Sequence, residues 1–192
     1  MTGRQLQLSN TIRRLWIEHV LWTRFFILST AFSLDDLQDV TDRLLQNPDD
    51  FARELRPFYG EQKAAQFKRL LTDHLLIAAQ LVNAAKAGDT TEVDKQRKLW
   101  YANAGDIARF LASINTCWSE RQWRKLLFEH LRMTEDEAVF ALTGQYKRSI
   151  EEYDSIQAQG LHMADVMIRG IICQFCIYSC FCRHFNYFQC FF

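Results

Sequence analysis

A nine-residue motif occurs three times in this 192-residue chain at nearly constant spacing, and it constrains the fold more than any other feature. The copies occupy residues 12–20, 67–75 and 123–131. Each contains a basic residue, an acidic residue four positions later, and then a histidine; the histidines are His19, His74 and His130. A repeat of this period is typical of a stacked helical unit, so we expect the same hairpin to recur along the chain.

A second repeated segment follows the motif. Residues 47–55 match residues 103–111 at an offset of 56, sharing Asn, Asp, Ala, Arg and Leu at equivalent positions. A third copy of this second half is not recognisable. The chain has only two prolines and seven glycines and shows no alternating β pattern. We therefore predict an all-α bundle of three tandem helical hairpins with six to seven helices.

Capping residues predict several helix boundaries. Asn47 followed by Pro48 is typical of a helix start. Residues 119–122 read as a capping box that opens the third motif helix. Residues 134–137 have the same pattern, so we expect the long last helix to begin there.

Cysteines are unevenly distributed along the chain. Cys117 stands alone in residues 1–172, which we predict to be the helical domain, whereas residues 173–192 are rich in cysteine and aromatic residues. This tail is too short to span a bilayer. It suits an interfacial or acylated anchor, a metal-binding segment, or a stretch outside the native fold.

The charge balance restricts the partners. With 23 basic and 23 acidic residues, the chain has no field of one sign, so we expect no nucleic-acid binding. Membrane contact would depend on the tail, and homo-oligomerisation stays open. Because the N-terminus does not read as a secretory signal, we expect a cytoplasmic, reducing location.

The histidines carry the leading functional hypothesis. Each shares a helical stripe with apolar residues, so each should face the core, where an imidazole must be neutral or paired. Three equivalent imidazoles could meet and bind zinc, iron or manganese. The candidate metal ligands or orienting groups are His19, His74, His130, Glu18, Asp73, Glu129 and Asp165.

Other interpretations are open. The basic and acidic residues four positions apart are also typical of ion pairs on a helix surface. The histidines could equally be packed core residues. The usual spacings of metal ligands on a helix are absent. The protein would then be a non-enzymatic structural or interaction bundle, or a membrane-surface protein acting through its tail. Asn47 and Asn103 are best interpreted as helix-start residues.

Arg24 lies in the most apolar helix, and its guanidinium needs a carboxylate partner or an anionic ligand. The candidate partners are Asp106, Asp154 and Asp165. No Gly-rich phosphate loop or Ser-centred elbow occurs, so the sequence assigns no catalytic residue.

Several segments resemble an uncharacterised family of small all-helical proteins from spore-forming bacteria. They are residues 16–24, 43–48, 71–74, 100–103 and 163–165. The resemblance covers roughly residues 10–172 and implies a helical fold with no established mechanism. Some members carry the label acetylglutamate kinase, which conflicts with the missing strands and glycine loops.

Overall fold

The computed structural model describes residues 2–175, which form six helices and contain no strand, so the all-α prediction is confirmed. The helices are α1 (Gly3–Phe32), α2 (Leu37–Leu44), α3 (Asn47–Ala87), α4 (Thr90–Ile114), α5 (Glu120–Leu142) and α6 (Tyr146–Gln174). Helix α6 continues past residue 172, where the tail was predicted to begin. The rest of that tail lies outside the described residues.

Helix α3 changes direction at Gly60, whose φ of 78° and ψ of 169° suit glycine alone. Pro57 precedes the kink and removes one backbone donor. The kink separates residues 47–59 from residues 61–87. Pro57 and Gly60 predict a helix end near residues 57–60, and the kink at Gly60 agrees with it.

Two predicted helix starts are confirmed, at Asn47 and after Ser119, and a third is wrong. Ser119 caps α5 by accepting a hydrogen bond from the Gln122 amide. Residues 134–137, however, lie inside α5, where the Thr134 hydroxyl donates to the His130 carbonyl at 2.9 Å. The actual break before α6 comes at Gly144, which has a φ of 73°.

The helices enclose one large apolar core. Helix α1 packs against α2, α3, α5 and α6, while α3 packs on α4 and α5 packs on both α4 and α6. Ile12, Trp123, Leu131 and Met163 are among its fully buried residues. None of the helices in residues 2–175 combines the length and the apolarity needed to cross a bilayer.

A disulfide joins Cys117, in the connection before α5, to Cys173 near the end of α6. No sequence motif indicates a partner for Cys117, because cysteine pairing depends on which chain segments meet. The bond closes a loop across a sequence separation of 56 residues. Such a bond stabilises mainly by restricting the unfolded chain.

We expect Cys117→Ser to lower the free energy of unfolding by about 2–4 kcal/mol, because the unfolded chain regains the entropy of that loop. Urea denaturation under oxidising conditions measures the loss. Dithiothreitol should destabilise the wild type by a similar amount and leave the variant unchanged. Equal stability of the two oxidised proteins would show that the bond contributes nothing.

Candidate functional site

The three motif histidines meet inside the bundle. His19 comes from α1, His74 from α3 and His130 from α5, and each is no more than 3% exposed. The ring centre of His19 lies 6.4 Å from that of His74 and 5.7 Å from that of His130. Residues at the equivalent position of each repeat therefore lie next to one another in the core.

Two buried asparagines anchor two of the imidazoles. Asn47 Oδ1 lies 3.2 Å from His19 Nδ1, and Asn103 Oδ1 lies 2.9 Å from His74 Nδ1. Each carboxamide NH₂ donates to the backbone carbonyl four residues before its histidine, at 3.0 and 3.1 Å. Because the amide nitrogen is the donor there, the amide oxygen accepts from the ring, so the network assigns the proton to Nδ1.

The structure places Gln159 of α6 at the third equivalent position, 56 residues after Asn103. Its Nε2 donates to the Leu126 carbonyl, four residues before His130, at 2.8 Å. Gln159 Oε1 and His130 Nδ1 are buried and make no hydrogen bond of normal geometry in residues 2–175, but Gln159 lies close enough to the ring to oppose the lowering of the His130 pKa. Sequence comparison missed this copy because Gln replaces Asn, although counting 56 residues onward would have found it.

The helix-start interpretation is wrong for Asn103; for Asn47 it gives the right helix boundary but the wrong role for the side chain. Asn103 lies in the middle of α4, far from either end. Asn47 is the first residue of α3, but its side chain makes no capping hydrogen bond and reaches across to α1 instead. Both residues orient the histidines, because a buried carboxamide must satisfy its donors and acceptor within the core.

Burial keeps the three histidines neutral at pH 7. Loss of solvation lowers the pKa of His19 to about 4, against a weaker opposing effect of Asn47. Desolvation, followed by the neighbouring imidazoles, lowers the pKa of His74 and of His130 to about 3. A neutral ring with its proton on Nδ1 leaves Nε2 as a bare lone pair, which is the form that binds metals.

A small cavity separates the rings. Its volume is about 10 Å³, and Trp16, Trp123 and other buried apolar residues complete its walls. This volume is close to the minimum that a single water molecule needs. Every lining residue is buried, so the three imidazoles surround a space that is shielded from solvent.

The predicted acidic ligands do not join the histidines. Glu18 contacts Arg14 at 2.8 Å and Arg43 at 3.3 Å, and Asp165 pairs with a surface arginine of α1. Asp73 and Glu129 are exposed. As the side chains stand, no group of three or more His, Cys, Asp or Glu residues between residues 2 and 175 is arranged to hold a metal ion.

Arg24 forms a buried ion pair with Glu137 of α5. Its Nη1 lies 2.5 Å from the Glu137 carboxylate and 3.2 Å from the Ser149 carbonyl, and its guanidinium stacks over the Tyr153 ring. Burial raises the pKa of Glu137 to about 7 despite the adjacent cation. The candidate anion site is therefore occupied by a carboxylate of the protein itself.

The partners that the sequence suggested for Arg24 are wrong. Asp106 pairs with Arg109 on its own helix, Asp154 is exposed, and Asp165 pairs with Arg13. Glu137 was missed because it was interpreted as the end of a capping box.

Comparison with known proteins adds no relative: no family model, no curated protein and no solved structure matches this chain. The resemblance to the spore-former family stays a prediction. The class of protein that the fold defines is all-α, with a buried cluster of three histidines as its candidate site.

Proposed function

We propose that this protein is a metal-binding helical bundle in which His19, His74 and His130 hold one transition-metal ion. Each of three tandem hairpins would supply one imidazole and one neighbouring carboxamide, and the first two carboxamides hydrogen-bond their ring. The equivalent hydrogen bonds of Asn47, Asn103 and Gln159 support this arrangement. The observation that carries the proposal is a cluster of buried neutral imidazoles around a cavity, with the hydrogen-bonded rings oriented from the Nδ1 side.

Two of the three ring separations are close to those of a metal site. A tetrahedral zinc ion about 2.0–2.1 Å from three imidazole nitrogens holds the ring centres roughly 5 Å apart. The measured separations of 5.7 and 6.4 Å exceed this by about 1 Å. Binding therefore requires the rings to move inward, towards the cavity between them.

The donor set favours zinc over iron and manganese. Three imidazoles without a carboxylate are typical ligands of zinc, whereas manganese prefers oxygen donors. The cavity has room for about one water-sized species, so the ion itself would fill it, and we assign no fourth ligand. Because the lining residues are all buried, we propose a bound ion that holds helices together, and we assign no substrate.

The alternative is a structural or interaction bundle whose histidines only pack. The carboxamide hydrogen bonds favour it equally, since they would orient a packed imidazole in the same way. A membrane-surface role depends on residues beyond 175, which lie outside the described residues.

Metal content separates these alternatives. We expect the protein purified without a histidine tag to contain about one equivalent of zinc by mass spectrometry. Added zinc at a hundred times its dissociation constant should raise the free energy of unfolding by about 3 kcal/mol. His130→Gln should abolish both effects, because it removes one of three ligands.

His162→Gln is the matched control, because His162 is exposed on α6 and distant in sequence from the motif. It should bind zinc as the wild type does. A content below about 0.1 equivalent, with no stabilisation by zinc, cobalt or iron, would favour the packing alternative.

A further inference from the structure

The disulfide between Cys117 and Cys173 lies at the surface of the bundle. Both cysteines are exposed, one in the connection between α4 and α5 and the other in the last turn of α6. Exposed disulfides are generally the labile, regulatory or catalytic ones, because a thiolate reaches their sulfur atoms without unfolding the chain. The position of this bond therefore suits thiol–disulfide exchange.

A groove of about 240 Å³ lies beside the bond, and both cysteines line it. Val166 and Gly170 are the buried residues of its lining, whereas Gln122 and Arg169 are exposed. An attacking molecule can therefore approach the sulfur atoms from this side. The volume is smaller than that of a typical drug-sized pocket, so it suits a small thiol.

Arg169 gives the groove a positive charge. Its guanidinium makes no ion pair with another residue of the range 2–175, because Asp165, one turn earlier on α6, pairs with Arg13 instead. Among the described residues that line the groove, none is acidic. Arg169 also precedes Cys173 by one helical turn, so the two side chains are neighbours. A guanidinium in this place attracts an anionic group and stabilises a leaving thiolate.

Contacts other than the disulfide hold the two chain segments together. The indole of Trp118 packs on Gly170, where no room remains for a Cβ atom, and its Nε1 donates to the Val166 carbonyl at 3.2 Å. The Gln174 side chain accepts from the Thr116 amide at 3.0 Å. Because these contacts do not involve the sulfur atoms, reduction leaves the two thiols adjacent at a high effective concentration, and the bond can form again.

We infer that the groove beside Cys117 and Cys173 is a site of reversible thiol–disulfide exchange with a small anionic thiol. The thiolate attacks one sulfur atom, and a new S–S bond forms as the bond between the cysteines breaks. The released sulfur leaves as a thiolate and takes up a proton. A second thiol attacks the sulfur of the bound thiol, so two thiols are oxidised to one disulfide as both cysteines are reduced. The inference does not depend on metal binding by the histidines.

Two thiols on the same two-carbon chain test the preference for an anion. The anionic probe is 2-mercaptoethanesulfonate, and 2-mercaptoethanol is its neutral control. Cys117 is the sole cysteine of residues 1–172, so loss of its cross-linked tryptic peptide, followed by mass spectrometry in EDTA, reports opening of the bond. At equal thiolate concentration we expect the anionic thiol to react about threefold faster, which is the contribution of an exposed ion pair.

Arg169→Gln should bring the two rates within about 1.5-fold, and high salt should do the same to the wild type by screening the guanidinium. Lys147→Gln is the matched control, because it removes the same charge at the opposite end of α6, and it should keep the preference. Equal rates of the two thiols with the wild type would overturn the inference.

Urea at about 1 M shows whether the folded protein reacts. Direct attack on an exposed bond should give an unchanged rate, whereas a bond reached only through unfolding would react about tenfold faster or more. Such an acceleration would overturn the inference.

Reversal and pairing complete the test. Replacing the thiol with its own disulfide should restore the cross-linked peptide, and lasting loss of the link would contradict a reversible site. Cys173→Ser should leave Cys117 open to alkylation without added thiol. Continued protection of Cys117 in that variant would place its partner elsewhere and overturn the inference.

Discussion

Acidification from pH 7 to about pH 4.5 is expected to lower the free energy of unfolding of this protein by about 5 kcal/mol. The folded-state pKa values of His19, His74 and His130 are about 4, 3 and 3, against 6.5 in the unfolded chain. The unfolded state therefore binds more protons below pH 6.5, so the free energy of unfolding falls as the pH falls. The contribution of the three buried histidines to stability is fully present above pH 6.5 and is lost as the pH falls to between 4 and 3.

The size of the effect follows from the number of groups. Each histidine lowers the free energy of unfolding by at most about 1.4 kcal/mol for each pH unit of acidification, so the three together lower it by about 4 kcal/mol per unit. Glu137 opposes them, because its pKa is raised to about 7 and its folded state binds more protons between pH 7 and 4.5. The net loss of about 3 kcal/mol per unit applies between about pH 6.5 and 4.5 and removes a large share of a typical stability of about 5–15 kcal/mol.

Urea denaturation at a series of pH values measures this slope. His130→Gln should reduce it by about 1.4 kcal/mol per unit below pH 6, since one buried imidazole is removed. The exposed His162→Gln should leave the slope unchanged. A free energy of unfolding at pH 4.5 equal to that at pH 7 would contradict burial of the neutral cluster.

Arg24→Met should lower the free energy of unfolding by about 3–5 kcal/mol, because it leaves the Glu137 carboxylate buried without its counter-charge. The Glu137 side chain is only 2% exposed, so water cannot replace the guanidinium. The variant also loses the hydrogen bond to the Ser149 carbonyl on α6. Chemical denaturation at pH 7 measures the change.

The double variant Arg24→Met, Glu137→Leu is the control for this interpretation. Replacing both charges with apolar side chains should recover most of the loss, since a buried ion pair and a packed apolar pair are often of similar stability. If the double variant were as unstable as the single one, lost packing around α1 would account for the effect instead of the unpaired carboxylate.

Local patterns predicted what depends on one helix at a time. The stripe shared by each histidine with its apolar neighbours placed it on a core-facing side, and all three are buried. Ser119 was recognised as a cap because capping involves residues three positions apart. The pattern at residues 134–137 failed, because Thr134 bonds within the helix and Glu137 pairs with Arg24.

The partners of the histidines could not be predicted in the same way. Asn47 and Asn103 contact rings 28 and 29 residues away, and such contacts depend on how two helices dock. The same limit explains the expectation that Glu18 and Asp73 would accompany the histidines. Adjacent residues on a helix point about 100° apart, and docking buried only one of each pair.

What the sequence alone determined is the helical class and the inward direction of three equivalent imidazoles, because helix periodicity is a property of neighbouring residues. The tertiary structure alone decided the distances between those imidazoles, the pairing of Arg24 with Glu137 and the disulfide of Cys117. Each of these joins residues from different helices. Their geometry follows from crossing angles and packing, which the order of residues along one helix does not specify.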